Sequence, residues 1–504
     1  MMIQNGDKTG SRFAVLFWSL LVISTGIRLV YAVVLPLTGD EAYFWEWARH
    51  PALSYYDHPP MAAWVMWPLI KLFGNTQLAV RMGAIIGIPL VILITRRLTL
   101  LISGSTKTAN LTGILAMGIP LLEVGGLIYT TDTPLVLAGT MGGYLFYQAV
   151  VRNRKYAWWG LGVCFAAAIL SKFLGVGLIA ACFGYLLLSP KYRFYLRKSG
   201  PYIALGIGAL GLVPILIWNA SHNWATFVFN FSSRQAPLAL GLTHLADYLA
   251  GQALALSPVV FLLAFPALAV CFPPGRNAVT ARWEIPAFLA LVPLGGFLAI
   301  SVLTKVDPQW TGIGVPFLAI AVAGFLLRGE KAGGYYIGAA ATAWTISLLI
   351  FLIPILPLTF PEGWKSPIRP DKIKISDLKL LTASPSGKGA EIAANLKEME
   401  KEGATFVFTR SYALSSLAAF YTPGNPEVTV LGPGSVHGRS HFSWFDPSAH
   451  TGENALFVSY RDFAHERKFL LQRFKRVVLV LDASLDQNSL PLTLVKCYGF
   501  SGKR

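Results

Sequence analysis

Few residues of this 504-residue chain have both the type and the setting to do chemistry, and most of them stand beside long apolar runs. Gly39-Asp40-Glu41-Ala42-Tyr43 places an acidic pair just past the first such run, and Tyr55-Tyr56-Asp57-His58-Pro59-Pro60 follows it. Acids next to a membrane are costly to desolvate, so they either stay solvated or serve a site. Pro59 and Pro60 stiffen the segment that presents Asp57 and His58, which suits a site. Lys172 lies between two apolar runs, where an ammonium either has a function or snorkels to the interface. Asp132, in the short turn Thr131-Asp132-Thr133-Pro134, reads as a cap for the next helix, as a site residue, or as both. Arg81 reads equally as an anchor at a helix start and Arg234 as a loop arginine. His222, flanked by Trp218 and Trp224, reads as a cleft residue or as part of an interfacial aromatic belt. Asp57, His58 and His222 are residue types that bind divalent metals, but their spacing specifies nothing. No metal is expected, and a divalent cation stays an open alternative.

The elements that must hold these residues are set by composition. The chain is 54% hydrophobic and only 13% charged, where an ordinary soluble domain carries about a quarter charged residues. Its mean hydropathy is +0.54. Apolar runs near 13–36, 80–102, 108–125, 133–151, 156–171, 173–189, 200–218, 248–272, 283–304, 311–328 and 333–359 predict a polytopic α-helical membrane protein with about eleven transmembrane helices. The pair at 156–189 must turn around Ser171-Lys172, and a single tilted segment there would invert everything after it.

The net charge of +17 is explained by distribution rather than by nucleic acid. Arg96, Arg97 and Lys107, then Arg152, Arg154 and Lys155, then Lys191, Arg193, Arg197 and Lys198, then Arg276 and Arg282, then Arg328 and Lys331 mark every second connection. Such clusters face the cytoplasm, so the N-terminus should be cytoplasmic and the C-terminal segment external. The apolar stretch from Phe13 to Pro36 is too long for the core of a signal peptide and is expected to remain as the first span. Cys164, Cys182, Cys271 and Cys497 show neither a disulfide framework nor zinc spacing.

Residues 1–360 then form the membrane region, with the loop 37–80 on the external side. In that loop Glu41–His50 and Met61–Phe73 read as helices lying along the interface, with Trp45, Trp47, Trp64 and Trp67 at headgroup level. Lys305–Trp310, another short external loop, reads as a solvated turn in preference to a contact with substrate. Residues 361–504 read as a small α/β domain with its own core: a helix at Gly387–Gly403 and strands at Thr405–Phe408, Val428–Leu431, Leu456–Tyr460 and Val477–Leu481. His437, Arg439, His441, Asp446 and Ser416 form no recognisable motif there.

Five segments in order carry a more specific signal: Asp40-Glu41-Ala42-Tyr43-Phe44-Trp45, Tyr55 to Pro60, Thr131 to Pro134, Leu170-Ser171-Lys172-Phe173, and Ile217 to Trp224. Together they resemble bacterial members of the protein O-mannosyltransferase and lipid A aminoarabinose transferase superfamily. Asp57-His58-Pro59-Pro60 is similar to a His-Pro-Pro segment of the mannosyltransferases. The resemblance implies a C-type membrane glycosyltransferase fold, a sugar donor carried on polyprenyl phosphate, and inverting transfer to lipid A, a cell-envelope glycan or a protein at the outer face of a bacterial inner membrane. It implies Asp40 as the residue that activates or orients the acceptor hydroxyl, with Glu41 beside it. It offers Lys172, His58, Asp57, Arg81, Asp132, His222 and Arg234 for the donor phosphate or substrate, and a C-terminal domain that caps the site or contacts the acceptor. The competing reading is a transporter or flippase of lipid-linked sugars, which would be expected to show repeat symmetry or polar groups at the midplane. Here the acids cluster in loops instead.

Overall fold

The computed structural model describes residues 3–233, 240–270, 283–327, 332–352, 386–432, 438–482 and 492–503. Arg234, Cys271, Arg276, Arg282, Arg328, Lys331, His437 and the expected domain boundary near 361 lie outside them.

The first nine α-helices build the region around the first loop: α1 (Ile3–Val34), α2 (Gly39–Arg49), α3 (Met61–Phe73), α4 (Gln77–Ser103), α5 (Thr106–Gly118), α6 (Pro120–Gly125), α7 (Asp132–Val150), α8 (Tyr156–Ser171) and α9 (Val176–Leu188). Their limits follow local chemistry. The Thr38 hydroxyl accepts from the Glu41 N–H while the Glu41 carboxylate accepts from the Thr38 N–H, a capping box that starts α2. The Thr76 hydroxyl caps α4 by accepting from the Ala79 N–H, and Gly104 ends it in the left-handed region. Pro120 divides the expected span 108–125 into α5 and α6. At 156–189 there are two helices, not one tilted segment, with Lys172 extended between α8 and the turn leading into α9.

All eleven expected apolar runs contain helix among the described residues. Five helices are individually long and apolar enough to cross a membrane: Ser11–Val34, Gln77–Ser103, Ser199–Ser221, Glu284–Ser301 and Pro308–Leu326. The expected single span 248–272 needs correction. It consists of Leu242–Leu256 and Pro258–Ala269, which meet at 103°. Ser257 has a φ of +72° at the break, and Pro258, having no N–H, cannot continue the preceding helix.

The C-terminal unit is a five-stranded sheet of order β2-β1-β3-β5-β4, with β1 (Thr405–Thr409), β2 (Val428–Val430), β3 (Asn454–Ser459), β4 (Phe474–Leu481) and β5 (Thr493–Phe500). β1 runs parallel to β2 and β3, whereas β5 is antiparallel to β3 and β4. The alternation of a strand divides the sheet's two faces. Phe406, Phe408, Phe457 and Phe474 fill a core private to the unit, whereas Val407, Val428, Leu456 and Leu494 face a second core.

That second core is shared with the first loop, since it also contains Tyr43, Trp45, Trp47, Ala63 and Met66. The interfacial reading of α2 is therefore corrected. Trp45 and Trp47 are fully buried; Trp45 packs edge-on against Phe420, and Trp47 stacks on Tyr55 at 4.6 Å. Only α3 keeps an outward apolar face, through the exposed Trp67, Leu72 and Phe73.

Candidate active site

The loop between α1 and α2 is pinned by Arg81 of α4. Its Nε and Nη2 donate to the two Glu41 carboxylate oxygens at 2.8 and 2.9 Å, and it also donates to the carbonyls of Leu35 and Pro36 at 2.6 and 2.8 Å. Arg81 thus caps the C-terminal end of α1 while neutralising Glu41, and both side chains are buried. They hold the start of α2, and with it the neighbouring Asp40.

Asp40 itself is exposed and borders a cavity of about 520 Å³. Among the residues named from sequence, Asp57, His58, Asp132 and Lys172 line the same cavity. Arg81, Glu41 and His222 do not. His222 stacks on Trp218 at 3.9 Å, with its Nδ1 2.8 Å from the Trp218 carbonyl oxygen.

Asp132 is the first residue of α7, and its side chain makes no capping bond there. It pairs instead with Lys172, whose Nζ donates to Oδ1 at 2.8 Å and to Oδ2 at 3.0 Å. The carboxylate stands at a helix N-terminus and the ammonium at the C-terminal end of α8, each where the helix dipole favours its charge. Lys172 is a buried cation that lines the cavity, so its third proton can serve an anion beside Asp132.

Asp57 is almost fully buried and well supplied with donors: Tyr43 Oη at 2.6 Å and the Gly438 N–H at 3.1 Å. Tyr43 Oη also accepts from the Ser440 N–H. Burial, reinforced by the Asp57 charge, pushes the Tyr43 phenol well above its ordinary value, so it stays protonated and donates. Asp57, His58 and His222, whose spacing specified no metal site, are not brought together: the first two line the cavity and His222 is turned onto Trp218. A different group, Glu46, His50 and Glu427, does converge, but Arg49 already reaches both of its carboxylates.

Two features of the site have no local sequence signal. Tyr412, from the C-terminal unit, donates its hydroxyl to Asp40 Oδ1 at 2.8 Å and lines the cavity. Burial, followed by the charge of Asp40, holds this phenol protonated. The segment read as a solvated turn supplies Asp307, Gln309 and Trp310 to the cavity wall. The remainder is apolar, including Ile88, Leu122, Ile128 and Val136.

Known proteins resemble the chain in sequence and in fold. Residues 57–218 match the family described as dolichyl-phosphate-mannose-protein mannosyltransferase, a stretch that includes Asp57, His58, Asp132 and Lys172. The crystal structure of ArnT from Cupriavidus metallidurans bound to undecaprenyl phosphate superposes with a TM-score of 0.66 at 15% identity, covering 96% of this chain and 98% of that one. The chain has the ArnT fold. The apo form of the same protein gives 0.65. The archaeal oligosaccharyltransferase AglB from Archaeoglobus fulgidus, in complex with an inhibitory peptide and a dolichol-phosphate, gives 0.50 at 11% identity, covering 90% of this chain and 70% of that one. In sequence, the lipid A galacturonosyltransferase RgtD of Rhizobium johnstonii is 25% identical over 252 residues, 48% of this chain and 52% of that protein. The match spans about half the length of that curated relative. The resemblance read from the five ordered motifs to this superfamily holds, and so does the expected mostly helical, multi-pass fold with a small C-terminal sheet unit.

Proposed function

We propose that this chain is a membrane glycosyltransferase that moves a monosaccharide from a polyprenyl-phosphate donor to a hydroxyl of a lipid A, cell-envelope glycan or protein acceptor, with inversion. The observation that carries the reading is the cavity that holds Asp40 and the Asp132–Lys172 pair together above an apolar floor. The acceptor hydroxyl oxygen attacks the anomeric carbon, its proton passes to Asp40, and the bond from that carbon to the phosphate oxygen breaks. Tyr412 occupies Asp40 Oδ1 and leaves Oδ2 to take the proton. Lys172 stabilises the departing polyprenyl phosphate. An apolar cleft of about 620 Å³ between α3, α4, α7 and α8 suits a polyprenyl chain.

The basic connections favour a cytoplasmic N-terminus in a bacterial inner membrane, with the site and the C-terminal unit, residues 361–504, on the periplasmic side. The direct test is transfer of labelled sugar from a panel of undecaprenyl-phosphate donors to membrane extracts by the purified chain. Labelled lipid, glycan or protein formed by the native chain, and lost in Asp40→Asn of unchanged fold, is the expected result. Donors left untouched, or equal transfer by the variant, would sink the reading.

A further inference from the structure

The charges around the cavity limit what the transferred sugar can be. Among the described lining residues are four carboxylates, Asp40, Asp57, Asp132 and Asp307, and one ammonium, Lys172. Three of the acids are engaged: Asp57 by Tyr43 and Gly438, Asp132 by Lys172, and Asp40 by Tyr412. Asp307 is the fourth, and it lines the cavity together with Gln309 and Trp310 of the same short segment.

This segment is built rigidly. The Pro308 carbonyl accepts from Gln252 Nε2 and from the Thr311 hydroxyl, each at 3.0 Å, and the same hydroxyl lies 3.0 Å from Gln252 Oε1. Gln252 and Thr311 are fully buried. Trp310 packs edge-on against Phe297 at 5.7 Å, which fixes the plane of the indole. A carboxylate, a carboxamide and an oriented indole side by side suit a pyranose: the indole covers its apolar face while the polar pair bonds its hydroxyls. The selectivity lies in the carboxylate. An ionised Asp only accepts hydrogen bonds, so it favours a hydroxyl or an ammonium and repels a second carboxylate.

We infer that Asp307, assisted by Gln309 and Trp310, is the specificity-determining residue of the donor site, and that the sugar it admits carries no carboxylate. This inference rests on the glycosyl-transfer reading above. A uronic acid would bring a carboxylate beside Asp307 while the one described lysine of the lining is engaged by Asp132 and needed by the phosphate. Neutral and amino-bearing sugars meet no such repulsion. The chain would thereby differ from its galacturonosyltransferase relative in the charge of its sugar.

The test uses undecaprenyl-phosphate donors in matched pairs, each hexose against its own uronic acid, in the galacto, gluco and manno configurations. Displacement of labelled undecaprenyl phosphate from the purified full chain reads their affinities. The native chain should prefer the hexose by roughly tenfold or more, the size of like-charge repulsion across a few ångströms of partly screened cavity. Asp307→Asn should shrink that ratio, and Asp307→Lys should reverse it, an outcome that a merely structural role for Asp307 would not produce. Bare undecaprenyl phosphate, run alongside, reports whether each variant is folded; for a variant that is not, the native ratio decides alone. Equal or tighter binding of uronic acids by the native chain, an unchanged ratio in folded Asp307→Asn, or sugars that add nothing to the affinity of the bare lipid would each overturn the inference. Failure of the transfer reading looks different: donors would bind with a clear preference, yet no acceptor would be labelled.

Discussion

At the scale of single residues, the site depends on directions that sequence spacing conveys only in part. Asp40 and Glu41 are adjacent, yet successive helical positions point about 100° apart. Asp40 faces the cavity, and Glu41 is turned inward to Arg81. Replacing Asp40 by Asn should lower transfer by roughly a hundred- to ten-thousand-fold, the usual yield of a positioned base, with little change in the affinity for bare undecaprenyl phosphate. Lys172→Gln should weaken that affinity itself, measured by displacement of a labelled lipid, because it removes the cation opposite the phosphate. The sequence showed Asp40, Asp57, His58, Asp132 and Lys172 through their motifs. It could not show Tyr412, which lies 372 residues from its partner, or Asp307, whose surroundings have the composition of any polar turn.

At the scale of elements, α2 is the part on which the site hangs, and its two ends are held differently. At its start, breaking the buried Glu41–Arg81 pair with Arg81→Met leaves a buried carboxylate uncompensated, a loss of about 3–5 kcal/mol that thermal unfolding in detergent would register. Gly39 lies so close to the helix Tyr412–Tyr421 that a Cβ there would collide with the Ala413 side chain. Gly39→Ala should therefore move Tyr412 off Asp40 and reduce transfer, and adding Ala413→Gly should restore it.

The far end of α2 and the helix Ser440–Trp444 respond to pH. Burial, opposed by Arg49 and reinforced by the Glu427 charge, pushes Glu46 from 4.5 up to about 8. Its protonated form is the one the fold favours, so the stability it contributes is complete below about 4.5 and is lost as pH rises through about 8. His441, buried and near His50, is pushed from 6.5 down to about 3, so its contribution is complete above about 6.5 and is lost as pH falls towards 3. Thermal midpoints measured across pH should fall on both sides. Glu46→Gln should flatten the alkaline limb alone, and His441→Gln the acid limb alone.

At the scale of the whole molecule, hydropathy was enough to reveal helices in the membrane region, since continuous apolar runs leave few other solutions. It could not reveal that Pro258 breaks one of them at 103°, or that the C-terminal unit lacks an independent second face. The strands β1 to β4 were visible as short apolar runs, whereas β5 was hidden by Lys496 and Gly499. The burial of Trp45 and Trp47 under the C-terminal unit was invisible too, because indoles beside a membrane suggest the headgroup zone unless their true neighbour is known.

The bond from Tyr412 to Asp40 also sets a clock. The ribosome makes Asp40 early and Tyr412 after 372 further residues, on the order of tens of seconds later at ordinary rates of synthesis. Throughout that interval the nascent chain holds the base of the proposed reaction without its phenol partner and without the wall that carries Tyr412. On the proposed reading, a chain that ends before Tyr412 holds Asp40 without the bond that orients it, and its transfer should fall well below that of the full chain.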